Sequence, residues 1–518
     1  MPTARTSMKT SYPIRLADAS TAAATGPEEE IRTPFDGTVV GVVASSTQSD
    51  LDEAFRTARR LQKTWARTPV ASRAAAARRF AHLVLAEQGR ILDHVQLETG
   101  KSRSSAFEEV LDVARASEYF ARVAPAILRE RRRPGAIPLL TRTRHVHHPK
   151  GVVGIISPWN YPFTLTATDS LPALLAGNAV VVKPDSQTPF TALLVKELLE
   201  RAGFPRDLLQ VVIGEGSRVG PELIARSDFI MFTGSTRTGK SVARACADRL
   251  IDFSAELGGK NPLLVLEDAD PDRAAAGAVR AAFANTGQLC VSIERIYVHA
   301  SVHDRFLRRL VETTEALTVG AGLDWSHEVG SLASQAQLDR VERHVVDAVN
   351  RGATVLTGGR ARPDLGPYFY EPTILVDVPA DALLAEEETF GPVVAVYRVN
   401  SDTEALDRAN DSAYGLNASI WTSSSRRGWA SARKVQTGTV NINEGYTATW
   451  GSHASPMGGW KQSGVGRRHG ETGLLKYTES QTISEQRVMP IAPPRGMTAA
   501  QWATTMTRAV RAMRFFRI

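Results

Sequence analysis

Between residues 151 and 260, short apolar runs alternate with amphipathic stretches of helical length, and this alternation limits the chain more than any other feature. Val152–Ile156, Val180–Val182, Leu209–Ile213 and Phe229–Phe232 read as strands, and the segments between them, such as Pro189–Ala202, read as helices. That spacing predicts βαβ units and a parallel sheet covered on both faces. Ligands of such sheets sit beyond the carboxyl ends of the strands, so function is expected in the residues that follow each run. A second α/β section extends from Asn261 to Gly470, with strands near Leu263–Leu266, Arg295–His299 and Val393–Tyr397. Ahead of both, Leu51, Ala54, Phe55 and Ala58 recur at helical spacing, with Asp50 and Ser72 as expected caps and Gly100 as an expected stop.

A chain of 518 residues exceeds one hydrophobic core, so two or three packed domains are expected. The net charge of +7 comes from 62 Lys and Arg against 55 Asp and Glu, and much of the excess lies in Arg129–Arg133 and the C-terminal tail. Neither place interleaves aromatic and basic residues along a groove, which argues against nucleic-acid binding. Two cysteines exclude a disulfide framework and suit a reducing cytoplasm. No apolar run reaches the roughly 18 to 20 residues that span a bilayer, and the N-terminus has no signal-peptide core.

The residues after the predicted strands carry chemistry. Ser157-Pro158-Trp159-Asn160-Tyr161-Pro162 holds Asn160 between two prolines, where a stiff backbone would fix its amide as an oxyanion donor or simply make a tight turn. Lys183-Pro184-Asp185-Ser186 precedes a helix start at Thr188-Pro189 and suits a ribose or phosphate. Phe232-Thr233-Gly234-Ser235-Thr236-Arg237-Thr238-Gly239 leads small residues into a helix, as a pyrophosphate needs, although it matches neither the dinucleotide fingerprint nor a P-loop. Glu256 closes an apolar stretch, where desolvation would raise it toward the range of a general base. Cys290 follows Gly287-Gln288-Leu289 in a predicted turn that leaves its N–H free to donate, whereas Cys246 lies in a predicted helix and reads as structural. No metal is expected, because His145, His147 and His148 lack partnering cysteines or spaced carboxylates.

Taken in order, Pro158-Trp159-Asn160, Phe232-Thr233-Gly234-Ser235, Glu256-Leu257-Gly258-Gly259-Lys260, Gly287-Gln288-Leu289-Cys290 and Glu388-Thr389-Phe390-Gly391-Pro392 resemble the aldehyde dehydrogenase superfamily, over a span of about Thr33 to Gln481. The runs Ile155–Tyr161, Lys183–Pro189 and Lys476–Thr482 look most like an actinobacterial subgroup of NADP-dependent succinate-semialdehyde dehydrogenases. The resemblance implies an α/β fold with a Rossmann-like cofactor domain, an α/β catalytic domain and a β-arm for oligomerisation. In those terms residues 1–30 are a disordered leader, 31–131 and 152–258 bind cofactor, and 259–471 are catalytic. The arm is 132–151 with 472–487, followed at 488–518 by a Pro-rich linker and a basic helix. It implies Cys290 as nucleophile, Glu256 as the base for deacylation, and Asn160 with the Cys290 N–H as oxyanion donors. Trp159, Lys183, Ser186, Gly214, Gly234, Ser235, Glu388 and Phe390 would hold the dinucleotide. Serine at 186, where NAD-preferring relatives carry Glu, implies NADP, with NAD as the alternative, and Asp185 nearby would oppose a 2′-phosphate. The partners implied are a small aldehyde and further copies of the chain in a homodimer or homotetramer.

The chain departs from the subgroup where a substrate carboxylate would bind. Thr168 and Ala284 stand where recognised relatives carry arginines, and Tyr446 and Trp450 add aromatic surface, with Phe163 nearby. Either the aldehyde is neutral and more apolar, or another arginine such as Arg295 reaches the pocket. Ser292 stands where those relatives carry a second cysteine. In the acid-free tail 497–518, Trp502, Met506, Ala509, Val510, Met513 and Phe516 fall on one helical face, and Arg508, Arg511 and Arg514 lie largely opposite. This reads as a membrane-surface helix or as one that packs on its own or a neighbouring subunit.

Overall fold

The computed structural model describes Tyr12 and residues 16–136, 141–486 and 492–515. The chain forms two compact units, residues 1–127 with 149–479 and residues 128–148 with 480–518.

The larger unit is built on two sheets. The first has six strands in the order Gly464–Val465, Phe253–Glu256, Phe229–Thr233, Val152–Ile156, Ala179–Lys183 and Leu209–Val211. All its pairings are parallel except the edge strand Gly464–Val465, which runs antiparallel to Phe253–Glu256. The four apolar runs predicted as strands are all in it, and Ala179–Lys183 and Phe229–Thr233 are buried at every position. A strand covered on both faces needs a continuous apolar run, which is why periodicity alone located these.

The second sheet has seven strands in the order Thr354–Thr357, Thr373–Val376, Val393–Val399, Ile293–His299, Asn261–Val265, Asn417–Trp421 and Thr439–Ile442. Only Thr354–Thr357, at one edge, is antiparallel to its neighbour. Helix Pro162–Leu175, which follows the Asn160 loop, is buried along its whole length. Proline at its first position suits a helix start because that N–H has no intrahelical partner.

Two expected caps move. Helix Gln48–Trp65 is capped by Thr47, and Asp50 is the reciprocal member of a capping box; the next helix starts at Val70, ahead of Ser72, with Pro69 before it. Gly100 does close a helix, with φ of 74°. The expected disorder over 1–30 does not hold for its described later part. Ala17 is buried and donates its N–H to His94 Nε2 at 3.0 Å, and Glu28–Arg32 pairs antiparallel with Val39–Ala44. A backbone donor satisfied by a buried ring nitrogen is invisible to composition.

In the smaller unit, Thr141–Pro149 is the middle strand of three, between Arg131–Arg133 and Thr478–Gln486. Ala499–Phe515 is a helix on which Trp502, Met506 and Met513 are half-buried while Arg508, Arg511 and Arg514 are exposed. Phe516, expected on the same apolar face, lies outside the described residues.

Candidate active site

The turn that carries Cys290 is built against backbone preference. Asn285, Thr286 and Gly287 have φ of 49°, 56° and 68°, three successive left-handed residues. Such conformations cost free energy and persist where surrounding contacts over-determine them. Here the Asn285 side chain donates to the carbonyls of Asn160 (3.2 Å) and Gln288 (2.9 Å), and the Gln288 side chain accepts the Ala333 N–H at 2.9 Å. Only glycine fits at 287, because a Cβ there would lie 2.0 Å from the Gly391 carbonyl oxygen. On the far side, Asn261 Nδ2 donates to the carbonyls of Cys290 (2.8 Å) and Ser292 (2.7 Å).

The Asn160 loop is held from beneath. Fully buried Lys101 donates to Glu109 at 2.7 Å and to the Asn160 carbonyl at 2.6 Å. The second Glu109 oxygen accepts the N–H groups of Phe163 and Thr164, each at 2.9 Å, at the start of the buried helix. The Asn160 side chain donates to the Gln288 carbonyl at 3.1 Å, which ties the two loops together.

These loops line a cavity of 180 Å³ that brings Cys290, Asn160 and Glu256 together with Trp159, Gly234, Ser235, Glu388, Phe390 and Trp450. Burial pushes the Cys290 thiol up to about 12, and the nearby Glu388 and Glu256 carboxylates add to the rise. Glu256 is buried with neither carboxyl oxygen hydrogen-bonded to protein. Desolvation raises it to about 7 against the lowering pull of Arg468 and Lys476. A carboxyl poised there can accept a proton at neutral pH and release it again.

The cofactor candidates fall in two groups. Ser235 caps the helix Thr236–Asp248 by accepting the Thr238 N–H, and with Gly234 it opens onto the cavity beside Glu388. Glu388 accepts the Gly259 N–H at 2.7 Å, and burial followed by the Glu294 charge raises it to about 7. Trp159 and Phe390 meet edge to face with ring centroids 5.5 Å apart. The second group lies away from this cavity: Lys183 is buried with its Nζ on the Pro184 carbonyl at 2.7 Å, and the Ser186 hydroxyl donates to the Gly214 carbonyl at 3.2 Å. An ammonium bonded to one carbonyl keeps donors free for a ribose or phosphate oxygen.

Four of the five expected substrate-pocket residues do not line the Cys290 cavity. Phe163 is core, and Thr168 is buried with its hydroxyl on the Thr164 carbonyl at 2.8 Å, because the helix that carries both has no exposed face. Tyr446 is turned to Glu108, to which its hydroxyl donates at 2.8 Å, and Ala284 lines a separate cavity together with Arg280 and Glu108. Arg295 does not reach the Cys290 cavity either: its guanidinium donates to the carbonyls of Lys260, Arg408, Ala409 and Asp411. The fifth, Trp450, does line it, and Tyr161, Leu165 and Leu289 stand in place of the other four.

Sequence reasoning passed over Lys101, Glu109, Asp169, Arg468 and Lys476, whose roles depend on contacts between distant segments. Among the described residues, Asp112, His453 and His469 form a buried cluster with ligand atoms within 4.8 Å of one another. Ligands about 2.1 Å from one zinc stand about 3.4 Å apart. His453 Nε2 instead pairs with Asp112 Oδ1 at 3.0 Å, a hydrogen-bonded His–Asp arrangement.

The chain is 51% identical over 487 residues to a Mycolicibacterium smegmatis protein named "Putative succinate-semialdehyde dehydrogenase (NADP+)", covering 94% of each. It is 35% identical to the glutarate-semialdehyde dehydrogenase of Pseudomonas aeruginosa, covering 88% of this chain and 93% of that one. Among solved structures it superposes with a TM-score of 0.86 on Staphylococcus aureus betaine aldehyde dehydrogenase in complex with NAD+, at 30% identity, covering 91% of this chain and 94% of that one. A family model described as the aldehyde dehydrogenase family matches residues 21–483, and with the Cys290 cavity described above the protein belongs to that family as an NAD(P)-dependent oxidoreductase.

Proposed function

We propose that this enzyme oxidises succinate semialdehyde, or a semialdehyde of the same kind, to the dicarboxylic acid with NADP. The observation that carries the chemistry is the single cavity shared by Cys290, Glu256, Asn160, Ser235 and Glu388. In this reading the Cys290 thiol gives its proton to water, and the resulting thiolate sulfur bonds to the aldehyde carbon and gives a thiohemiacetal, whose oxyanion faces the Asn160 amide and the Cys290 N–H. Loss of hydride from that carbon leaves a thioester on Cys290. Glu256 then takes a proton from water as the water oxygen bonds to the carbonyl carbon, and cleavage of the C–S bond frees the acid. When bound, the nicotinamide supplies the hydride acceptor. Ser235 and Lys183 would hold the phosphate and ribose groups, Ser186 the 2′-phosphate, and Glu388 the nicotinamide ribose, with Trp159 and Phe390 against the ring.

The substrate rests on relatives named for semialdehydes whose far end is a carboxylate. Initial rates with NADP, comparing succinate semialdehyde with hexanal, test it. A much higher specificity constant for the semialdehyde is expected; preference for hexanal would overturn the substrate and leave a neutral aldehyde in its place.

The same proposal extends to setting. The strand Thr141–Pro149 and its neighbours would join those of another copy in a homodimer or homotetramer. The helix Ala499–Phe515 would rest its Trp502, Met506 and Met513 face on an anionic membrane from the cytoplasmic side, with its arginines toward the headgroups. Among the described residues no helix is long and apolar enough to cross a membrane.

A further inference from the structure

Strands Phe229–Thr233 and Phe253–Glu256 pair in parallel, with Met231 opposite Ser254 and Thr233 opposite Glu256. Residues two apart on a strand share a face, so these four side chains form one patch. Two cations cover it. Lys476 Nζ lies 3.2 Å from Met231 Sδ and 3.4 Å from Ser254 Oγ, and Arg468 Nη2 lies 3.0 Å from Thr233 Oγ1. Arg468 is already balanced, because Asp169 takes its Nε at 2.9 Å and Nη2 at 2.8 Å. Lys476 is not: among the described residues no carboxylate oxygen lies within ion-pair distance of its Nζ, and its direct contacts are a thioether and a hydroxyl. Glu256, the acid of the patch, has no hydrogen-bond donor from the protein. A buried ammonium without an acid and a buried carboxyl without a donor therefore share one sheet face.

We propose that Lys476 is a positioning residue for the general base, the counter-charge that lets Glu256 exist as a carboxylate in a buried pocket, so that the two groups share one proton. The inference rests on the reading of Glu256 as the base. With Arg468 and Asp169 cancelling, the remaining pair is neutral both as carboxylate with ammonium and as acid with amine. Moving the proton between them leaves the pocket's net charge unchanged, which suits a site that cannot solvate charge. The directions agree: burial lowers Lys476 to about 8, and burial raises Glu256 to about 7. The other charged or titratable groups around the pair are Asp169, Cys290, Arg467, Arg468, His469 and Tyr477. Arg467 also has no acid, but its Nη1 is taken up by the carbonyls of Gly459 and Gly466, so of the cations without an acid it is Lys476 that bonds the Ser254–Glu256 strand.

The test is Lys476→Gln beside Lys476→Arg, with Glu256→Gln as reference. Two readouts are taken across pH 6 to 9: the Glu256 carboxyl band by difference infrared against Glu256→Gln, and hydride transfer and turnover followed as NADPH. Loss of a neighbouring cation should move the Glu256 midpoint up by about one pH unit. Turnover at pH 7 should then fall about fivefold in Lys476→Gln while single-turnover hydride transfer persists, and Lys476→Arg should bring the midpoint back. An unmoved midpoint in Lys476→Gln overturns the proposal, and so does loss of both hydride transfer and turnover that arginine does not restore. Full turnover in Glu256→Gln would instead remove the base itself, a distinct result.

Discussion

Lys101 donates to the backbone carbonyl of Asn160 at 2.6 Å, from a residue 59 positions earlier in the chain and fully buried. The proposed oxyanion donor is thus held by a buried ammonium outside the Cys290 cavity, and Glu109 holds both that ammonium and the start of the helix after Asn160. Lys101→Met should destabilise the fold by about 3–5 kcal/mol, because it strands Glu109 without its partner. Urea denaturation measures it, and a change below about 1 kcal/mol would show that the pair is incidental.

Turnover should fall below neutral pH. Glu256 is raised, to about 7, so it is increasingly protonated as pH drops through that value and is then unable to take a proton from water. A pH profile of kcat should therefore show a limb rising with pH with its midpoint near 7. Glu256→Gln should lower turnover by about 10²–10⁴-fold while hydride release in the first turnover remains. Loss of that first turnover as well would assign Glu256 an earlier step.

Asn160→Ala removes one of the two donors proposed for the thiohemiacetal oxygen. A loss of about 10²–10³-fold in kcat is expected, with folding unaffected by circular dichroism. A loss under threefold would mean that the Cys290 N–H suffices.

Ser186→Glu should reverse cofactor preference. A carboxylate beside the Gly214 carbonyl would repel a 2′-phosphate and accept ribose hydroxyls. The ratio of kcat/KM for NADP to that for NAD should drop at least tenfold, and an unchanged ratio would place phosphate recognition elsewhere.

The helix Ala499–Phe515 should bind vesicles of anionic lipid and not neutral ones. Replacing Arg508, Arg511 and Arg514 together by Gln should release the protein, as each basic residue near such a surface contributes about 1 kcal/mol. Cosedimentation that is indifferent to lipid charge would assign this helix to protein packing.

What could be read ahead of the structure follows from how far each residue's job reaches along the chain. The parallel sheets were legible because burial on both faces forces unbroken apolar runs such as Val152–Ile156. That Cys290, Glu256 and Asn160 belong together was legible because each stands within three residues of a glycine or proline that marks a loop, and the three do line one cavity. Phe163 and Thr168 were misplaced because they follow Asn160 closely, and only the packing of the helix shows that all its faces are covered. Arg468 and Lys476 could not be found from local pattern, since each meets strand residues more than 200 positions away. Lys476 stands in one of the runs that carried the subgroup resemblance, and that was the one signal available for it.

The left-handed run Asn285–Thr286–Gly287 sets where the sulfur stands by backbone handedness and amide hydrogen bonds, independently of the aromatic and aliphatic side chains opposite it. Floor and wall are therefore separable for evolution. Exchanges at Tyr161, Leu165 or Trp450 can retune which aldehydes enter while the sulfur keeps its place, so a lineage can change diet without relearning chemistry.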